Sequence, residues 1–244
     1  MLQSPPGARR LLALVFVATA FPAGASIAQA PPPRYTSGWW DVAVIAGGAA
    51  IAGAGALVTP PAASCAPCNS ADLHGIDRGT IDWHSATARG ASNVLVIGVA
   101  GGAALAAIAG VAPARARGDA VVLATAVSWT AAATQWLKLV VHRERPALYR
   151  SGAVAAAADP GNRESFPSGH TSFAFAAATA YATLAARQRL PHARRNTVLL
   201  FTGATGVGVL RIAGGKHFPT DVLAGAALGA GVGWITARLH PTTP

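Results

Sequence analysis

Three short clusters in this sequence carry residue types suited to handling phosphate. "KLVVHRERP" places Lys138 ahead of Arg145 and Pro146, "PSGH" places Ser168, Gly169 and His170, and "RIAGGKHFPTD" places Arg211, His217 and Asp221. Lys138, Arg145 and Arg211 are cations; an arginine fork matches two phosphate oxygens, and a lysine acts as a point charge. Ser168 and Gly169 precede an apolar run that reads as a helix, so unpaired backbone N–H groups there form an anion site. Of the two histidines, one can attack phosphorus and the other can protonate the leaving oxygen. His217 and Asp221 are four residues apart, so on a helical turn the carboxylate can reach a ring nitrogen and set its tautomer. Pro219 suits the first turn of that helix, and Thr220 or Asp221 can cap it.

Taken singly, each cluster has a plainer reading. His170 is a turn or cap residue, Lys138 and Arg145 are interfacial side chains with snorkelling heads, Arg211 is a topology charge, and His217 with Asp221 is a surface pair. What changes this is whether the elements between the clusters bring them together. Six apolar segments read as helices, at 42–58, 94–112, 120–137, 171–186, 197–210 and 222–237, because none alternates as a strand does. A bilayer-spanning helix needs about 20 residues, which suits the second and third; the fifth is short and weakened by Thr and Gly. In any up-and-down path through six crossings, the long connections 59–93 and 138–170 and the stretch 211–221 fall on one side. All three clusters then lie on one face at span ends, and their joint occurrence there is the strong signal. Asp72, Asp77, Asp82 and His84 in the 59–93 connection read as a solvated loop, with a lid over the site as the alternative.

Composition agrees with a membrane protein. Only 11% of the 244 residues are charged and 52% are apolar, where a soluble domain carries about a quarter charged residues. The Ala/Gly-rich interior allows close helix approach, and Trp39 and Trp40 stand where interfacial aromatics belong, although a core role fits them equally. The formal charge of +10 favours anionic partners. Nucleic acid is excluded as the favoured one, because the basic residues are scattered without an interleaved aromatic stripe or a zinc-finger spacing. Cys65 and Cys68 form a lone C-x-x-C, read as a disulfide or inert thiols, half a metal site, or a redox pair; an oxidising compartment favours the disulfide.

Residues 1–30 read as a signal-like segment, with Arg9 and Arg10 before the apolar run 11–20 and "AQA" at 28–30 as a small-residue cleavage site. Residues 31–40 read as a linker, and 41–240 as one helical membrane domain. Lys and Arg divide almost evenly between the two sides, but the short "RQRLPHARR" connection is denser in charge, as cytosolic loops tend to be. Cleavage near residue 30 would leave residue 31 outside, and six crossings would then carry the long connections inwards. An exterior site therefore requires that the N-terminal segment is not translocated, that one segment does not span, or that the chain is soluble and exported.

The clusters resemble the signature of the type 2 phosphatidic acid phosphatase (PAP2) superfamily, which includes lipid phosphatases, bacterial class A acid phosphatases and vanadium haloperoxidases. Its motifs are matched by Lys138 through Arg145–Pro146, by Pro167 to His170, and by Arg211, His217 and Asp221, over a core of 119–237. Leu210 stands where the third motif usually has Ser, which removes one polar contact and bears on substrate preference. The resemblance implies an all-α, six-helix transmembrane bundle of the PAP2 type. It implies His217 as nucleophile forming a phosphohistidine, Asp221 orienting it, and His170 as general acid, with Lys138, Arg145, Ser168, Gly169 and Arg211 holding the phosphoryl oxygens. No metal or other cofactor is implied in the phosphatase branch. The expected activity is hydrolysis of a lipid phosphate or isoprenoid diphosphate at a bacterial-type inner membrane, with the site facing the periplasm or exterior. The alternatives are a soluble exported acid phosphatase, a haloperoxidase, and a non-catalytic protein that binds or transports lipid phosphates.

Overall fold

A computed structural model describes residues 31–243, so the signal-like reading of 1–30 lies outside the described residues. Six long helices dominate: α1 (Trp39–Ala56), α3 (Ala86–Ile108), α4 (Pro113–Val141), α6 (Gly169–Gln188), α7 (Ala193–Ala213) and α8 (Pro219–Leu239). The one-turn helices α2 (Gly75–Arg78) and α5 (Ala153–Ala156) sit in the two long connections. A two-residue strand β1 (Arg34–Tyr35) pairs antiparallel with β2 (Thr242–Thr243) where the chain enters and leaves the bundle. The architecture is all-α, and each of the six expected apolar segments lies largely within one long helix.

Helix ends follow local chemistry. Ser85 caps α3 by accepting the Ala88 N–H at 3.1 Å, so the helix begins eight residues ahead of the apolar run that marks it in the sequence. Pro113 and Pro219 occupy first-turn positions of α4 and α8, where a missing N–H costs nothing. His142 ends α4 in a left-handed conformation (φ 48°), which sends the following segment back over the helix ends.

Among the described residues, five stretches are long and apolar enough to cross a membrane: Trp39–Ala56, Ala86–Ile108, Pro113–Tyr149, Ala193–Ala213 and Pro219–Leu239. Large apolar side chains face outward along them, among them Val94 and Ile97 on α3, Val198 and Leu199 on α7, and Leu223 and Trp234 on α8. Together these features support a multi-pass membrane protein. Helix α6 is the exception and the centre. It packs against α3, α4, α7 and α8, and its buried positions include Thr171, Ser172, Ala174, Ala178 and Tyr181. A helix enclosed by other helices needs small side chains for close approach more than lipid-facing bulk, so it is the least apolar of the long helices that build the core.

Helix α1 is strapped to α4 by two tryptophans one heptad apart. Trp129 Nε1 donates to the Val44 carbonyl at 3.2 Å and Trp136 Nε1 to the Ile51 carbonyl at 3.0 Å. Trp136→Phe keeps an aromatic ring at a position that is part exposed, though a smaller one, and removes the donor. It is expected to weaken the fold by about 0.6 kcal/mol, the typical worth of one hydrogen bond between membrane helices. The midpoint of thermal unfolding in detergent would register this as a small fall.

Candidate active site

A cavity of about 420 Å³ opens where α4 and α7 end and α6 and α8 begin. Lys138, Arg145, Gly169, His170, Arg211 and His217 form its polar end. Ala52, Gly53 and Ala56 of α1, Ala131, Thr134 and Gln135 of α4 and Phe173 of α6 form the rest of the wall, so one cavity joins a cationic head to a mostly apolar flank.

The cations are held without being neutralised. Lys138 Nζ lies 3.9 Å from Glu164 Oε2, too far for a hydrogen bond. Arg145 Nη2 makes a long contact of 3.4 Å with the Glu164 carbonyl, and Arg211 Nη1 makes contacts of 3.3 Å and 3.4 Å with Ser92 Oγ and Asn93 Oδ1. Arg145 Nε and Arg211 Nε are buried and have no hydrogen-bond partner among the described residues. Buried guanidinium N–H groups are normally paired, and leaving them unpaired costs about 1–3 kcal/mol each or more. Two such donors beside one cationic cavity are what a site for an oxyanion looks like.

His217 follows α7 and directly precedes α8, and it is buried. Its Nδ1 lies 2.7 Å from the Ser165 carbonyl oxygen. A carbonyl can only accept, so Nδ1 carries the proton and the Nε2 lone pair is left for chemistry. Burial, and after it the charges of Arg145, Arg211 and Lys138, hold this ring well below its ordinary pKa; the Ser165 bond opposes them only in part. The ring is thus neutral across the mildly acidic and neutral range.

Asp221 lies 3.9 Å from His217 Nδ1, beyond hydrogen-bond distance. It meets the ring through Ser165 instead. Ser165 Oγ donates to Asp221 Oδ2 at 2.6 Å, while the same residue's carbonyl takes the His217 proton. Asp221 Oδ2 also accepts the Phe218 N–H at 2.8 Å, capping α8. His170 sits in the first turn of α6 with Nε2 2.9 Å from Asn93 Oδ1. Ser168 is the cap residue of α6, but its hydroxyl turns to Thr171 Oγ1 at 2.9 Å, away from the cavity wall; Gly169 lines the wall. Cys65 and Cys68 are joined as a disulfide in the connection between α1 and α3, where the Cys68 N–H binds the Leu148 carbonyl at 2.8 Å.

Several contributors carry no motif signal. Asn93 and Ser92 lie on the polar early part of α3, ahead of its apolar run. Arg143 Nη1 donates to Asp221 Oδ1 and its Nη2 to Asp77 Oδ2 at 2.7 Å, so Asp77 is buried and bonded and not on a solvated loop face. Only the count of charged residues within "KLVVHRERP" hinted that Arg143 had a task. Among the described residues, no group of three or more His, Cys, Asp or Glu is placed to hold a metal ion.

No curated protein and no solved structure gives a match to this chain. A comparison with protein families matches residues 119–244, just over half of the chain, and these residues hold Lys138, Arg145, His170, Arg211, His217 and Asp221. The chain belongs to the PAP2 superfamily.

Proposed function

We propose that this protein is a phosphatase that hydrolyses a lipid phosphate or isoprenoid diphosphate through a phosphohistidine, without a metal ion. The observation that carries the reading is the cavity itself. Beside its cationic end two buried guanidinium N–H groups have no partner among the described residues, and its remaining wall is mostly apolar, with Thr134 and Gln135 as the polar positions. A phosphate head on an apolar tail has this shape and polarity.

In this mechanism Lys138, Arg145, Arg211 and the Gly169 backbone N–H at the start of α6 hold the phosphoryl oxygens, with Ser168 setting that turn through its own N–H bond to the Asp221 carbonyl. His217 Nε2 attacks phosphorus as the bond from phosphorus to the lipid oxygen breaks, and His170 gives that oxygen a proton. A water molecule then attacks phosphorus, His170 takes its proton, and the P–N bond breaks to release inorganic phosphate and neutral His217. Asp221 and Ser165 keep the Nδ1 proton in place throughout. All six long helices span the bilayer in this reading, with α6 shielded from lipid by its neighbours. The site end faces the exterior, which the Cys65–Cys68 bond at that end supports, since disulfides persist in oxidising compartments.

The test is phosphate release by purified protein in detergent with chelator present, from a panel of phosphatidic acid, an isoprenoid diphosphate and one soluble phosphomonoester. Activity strongest on one of the lipids is expected. Activity confined to the soluble ester would assign the chain to the exported acid phosphatases. Lipid binding without turnover would make it a binding or transport protein.

A further inference from the structure

We propose that Asp77, in the connection between α1 and α3, is a positioning residue for His217, acting through Arg143, Asp221 and Ser165. This rests on the reading of His217 as the nucleophile. Asp77 lies outside the stretch that matches the family, and nothing in its sequence neighbourhood marks it.

The carboxylate of Asp77 is fully buried and every bond it makes is to the segment around the site. Oδ1 accepts the Thr220 N–H at 3.1 Å, so a residue from a distant loop helps cap α8. Oδ2 accepts from Thr220 Oγ1 at 2.7 Å and from Arg143 Nη2 at 2.7 Å. Burial alone would push this carboxyl up; the donors from Thr220 and Arg143 outweigh burial and hold it below the usual carboxylate range.

Arg143 is therefore a fork with two carboxylates on it. Nη2 holds Asp77, while Nη1 holds Asp221 and contacts Thr220 Oγ1 at 2.6 Å. Its guanidinium lies 4.7 Å from the centre of the Phe218 ring, and its own carbonyl accepts the Ser165 N–H at 2.9 Å. Ser165 is thereby pinned at three points: its N–H by Arg143, its hydroxyl by Asp221, and its carbonyl by the His217 Nδ1 proton. The direction of that carbonyl decides which ring nitrogen is free to attack. Without Asp77, the Nη2 arm of Arg143 has no acceptor, and the half-buried guanidinium can swing towards solvent and take Asp221 with it.

Charge points the same way. Asp77 and Asp221 together with Arg143 leave one net negative charge behind His217, opposite Lys138, Arg145 and Arg211 in front of it. When Nε2 bonds to phosphorus the ring becomes positive, and a fixed negative charge behind it lowers the energy of that state.

The experiment is Asp77→Asn, which keeps the shape but removes the charge and sets an N–H₂ group against either Arg143 Nη2 or the Thr220 N–H, so one of these donors loses its acceptor. A fall in kcat of about 10- to 100-fold is expected, the scale of a misplaced reacting group. The inhibition constant for inorganic phosphate should stay within about threefold of wild type, since phosphate binding at Lys138, Arg145 and Arg211 is untouched. Imidazole ¹⁵N resonances, assigned by difference from His217→Gln, should report a single Nδ1–H tautomer in the wild type and a mixture in Asp77→Asn. Unchanged kcat with an unchanged tautomer would overturn the proposal. So would losses of kcat and phosphate binding in parallel, the mark of a merely structural role. If Asp77→Asn does not fold, Arg143→Lys carries the same test, because one ammonium cannot fork two carboxylates. If the wild type releases no phosphate from any substrate, the phosphatase reading fails, and the tautomer comparison by itself still decides whether Asp77 positions the ring.

Discussion

Replacing His217 by Gln should abolish phosphate release, by at least about a thousandfold, while inorganic phosphate still binds. Glutamine nearly fills the ring's volume and its amide N–H₂ can still donate to the Ser165 carbonyl, but it offers no nucleophilic nitrogen. Removal of a nucleophile from a site that acts as a unit typically leaves only the residual catalysis from binding and charge stabilisation. The cations at Lys138, Arg145 and Arg211 are unaffected, so the inhibition constant of phosphate, or its binding heat, should change little. Loss of both turnover and phosphate binding would mean that His217 holds the pocket together rather than attacking. The wild-type pH profile carries a linked expectation. Burial and then the three cations keep His217 well below its ordinary value of 6.5, so its lone pair stays available as the medium becomes acidic. Towards acid, kcat/KM should show no limb near 6.5 from protonation of this ring; a wild-type limb near 6.5 that moves to higher pH when one of the cations is removed would belong to this ring and contradict the assignment.

The second large effect belongs to a glycine far from the chemistry. Gly229→Val should prevent a stable fold. A Cβ at Gly229 would lie 2.0 Å from the Ser172 carbonyl oxygen on α6, a backbone atom that cannot turn aside. The neighbouring Gly225 and Gly233 would meet Ser168 and Ala176 carbonyls at 2.6 Å and 2.5 Å, so α8 lies against α6 along a stripe of glycines four residues apart. Forcing the helices apart costs at least the 1–3 kcal/mol typical of overpacking, roughly, and more where backbone must move. The consequence reaches the site, because the Ser168 N–H binds the Asp221 carbonyl at 3.0 Å and this contact joins the two helix starts that carry His170 and Asp221. Gly231→Ala is the control: its Cβ would meet nothing within 4 Å, and the variant should fold with an unchanged or slightly higher midpoint. Equal thermal midpoints in detergent for Gly229→Val and wild type would show that the interface opens at no cost.

Much of the site was legible in the sequence. Lys138, Arg145, Gly169, His170, Arg211 and His217 line one cavity; crossing parity puts them on one face, and helix packing then brings them together. Hydropathy found the six long helices because apolar runs are local, but it cut α3 short, since Arg89, Ser92 and Asn93 look like loop until Asn93 is seen against His170 and Ser92 against Arg211. The run at 171–186 marked α6 as a helix, but not its central place: α6 is rich in small and hydroxylated residues because it packs against α3, α4, α7 and α8.

The sequence by itself determined the elements and the chemistry, because helix periodicity, caps and reactive side chains are properties of residues a few positions apart. Only the tertiary structure decided how the His217 ring is set. Asp221 is four residues from His217 yet does not touch its ring, and the contact passes through Ser165, 52 residues away, to Arg143 and on to Asp77. Hydrogen bonds have a reach of about 3 Å and no memory of chain distance, so which carbonyl faces a ring nitrogen is fixed by how buried donors and acceptors are jointly satisfied in the packed fold.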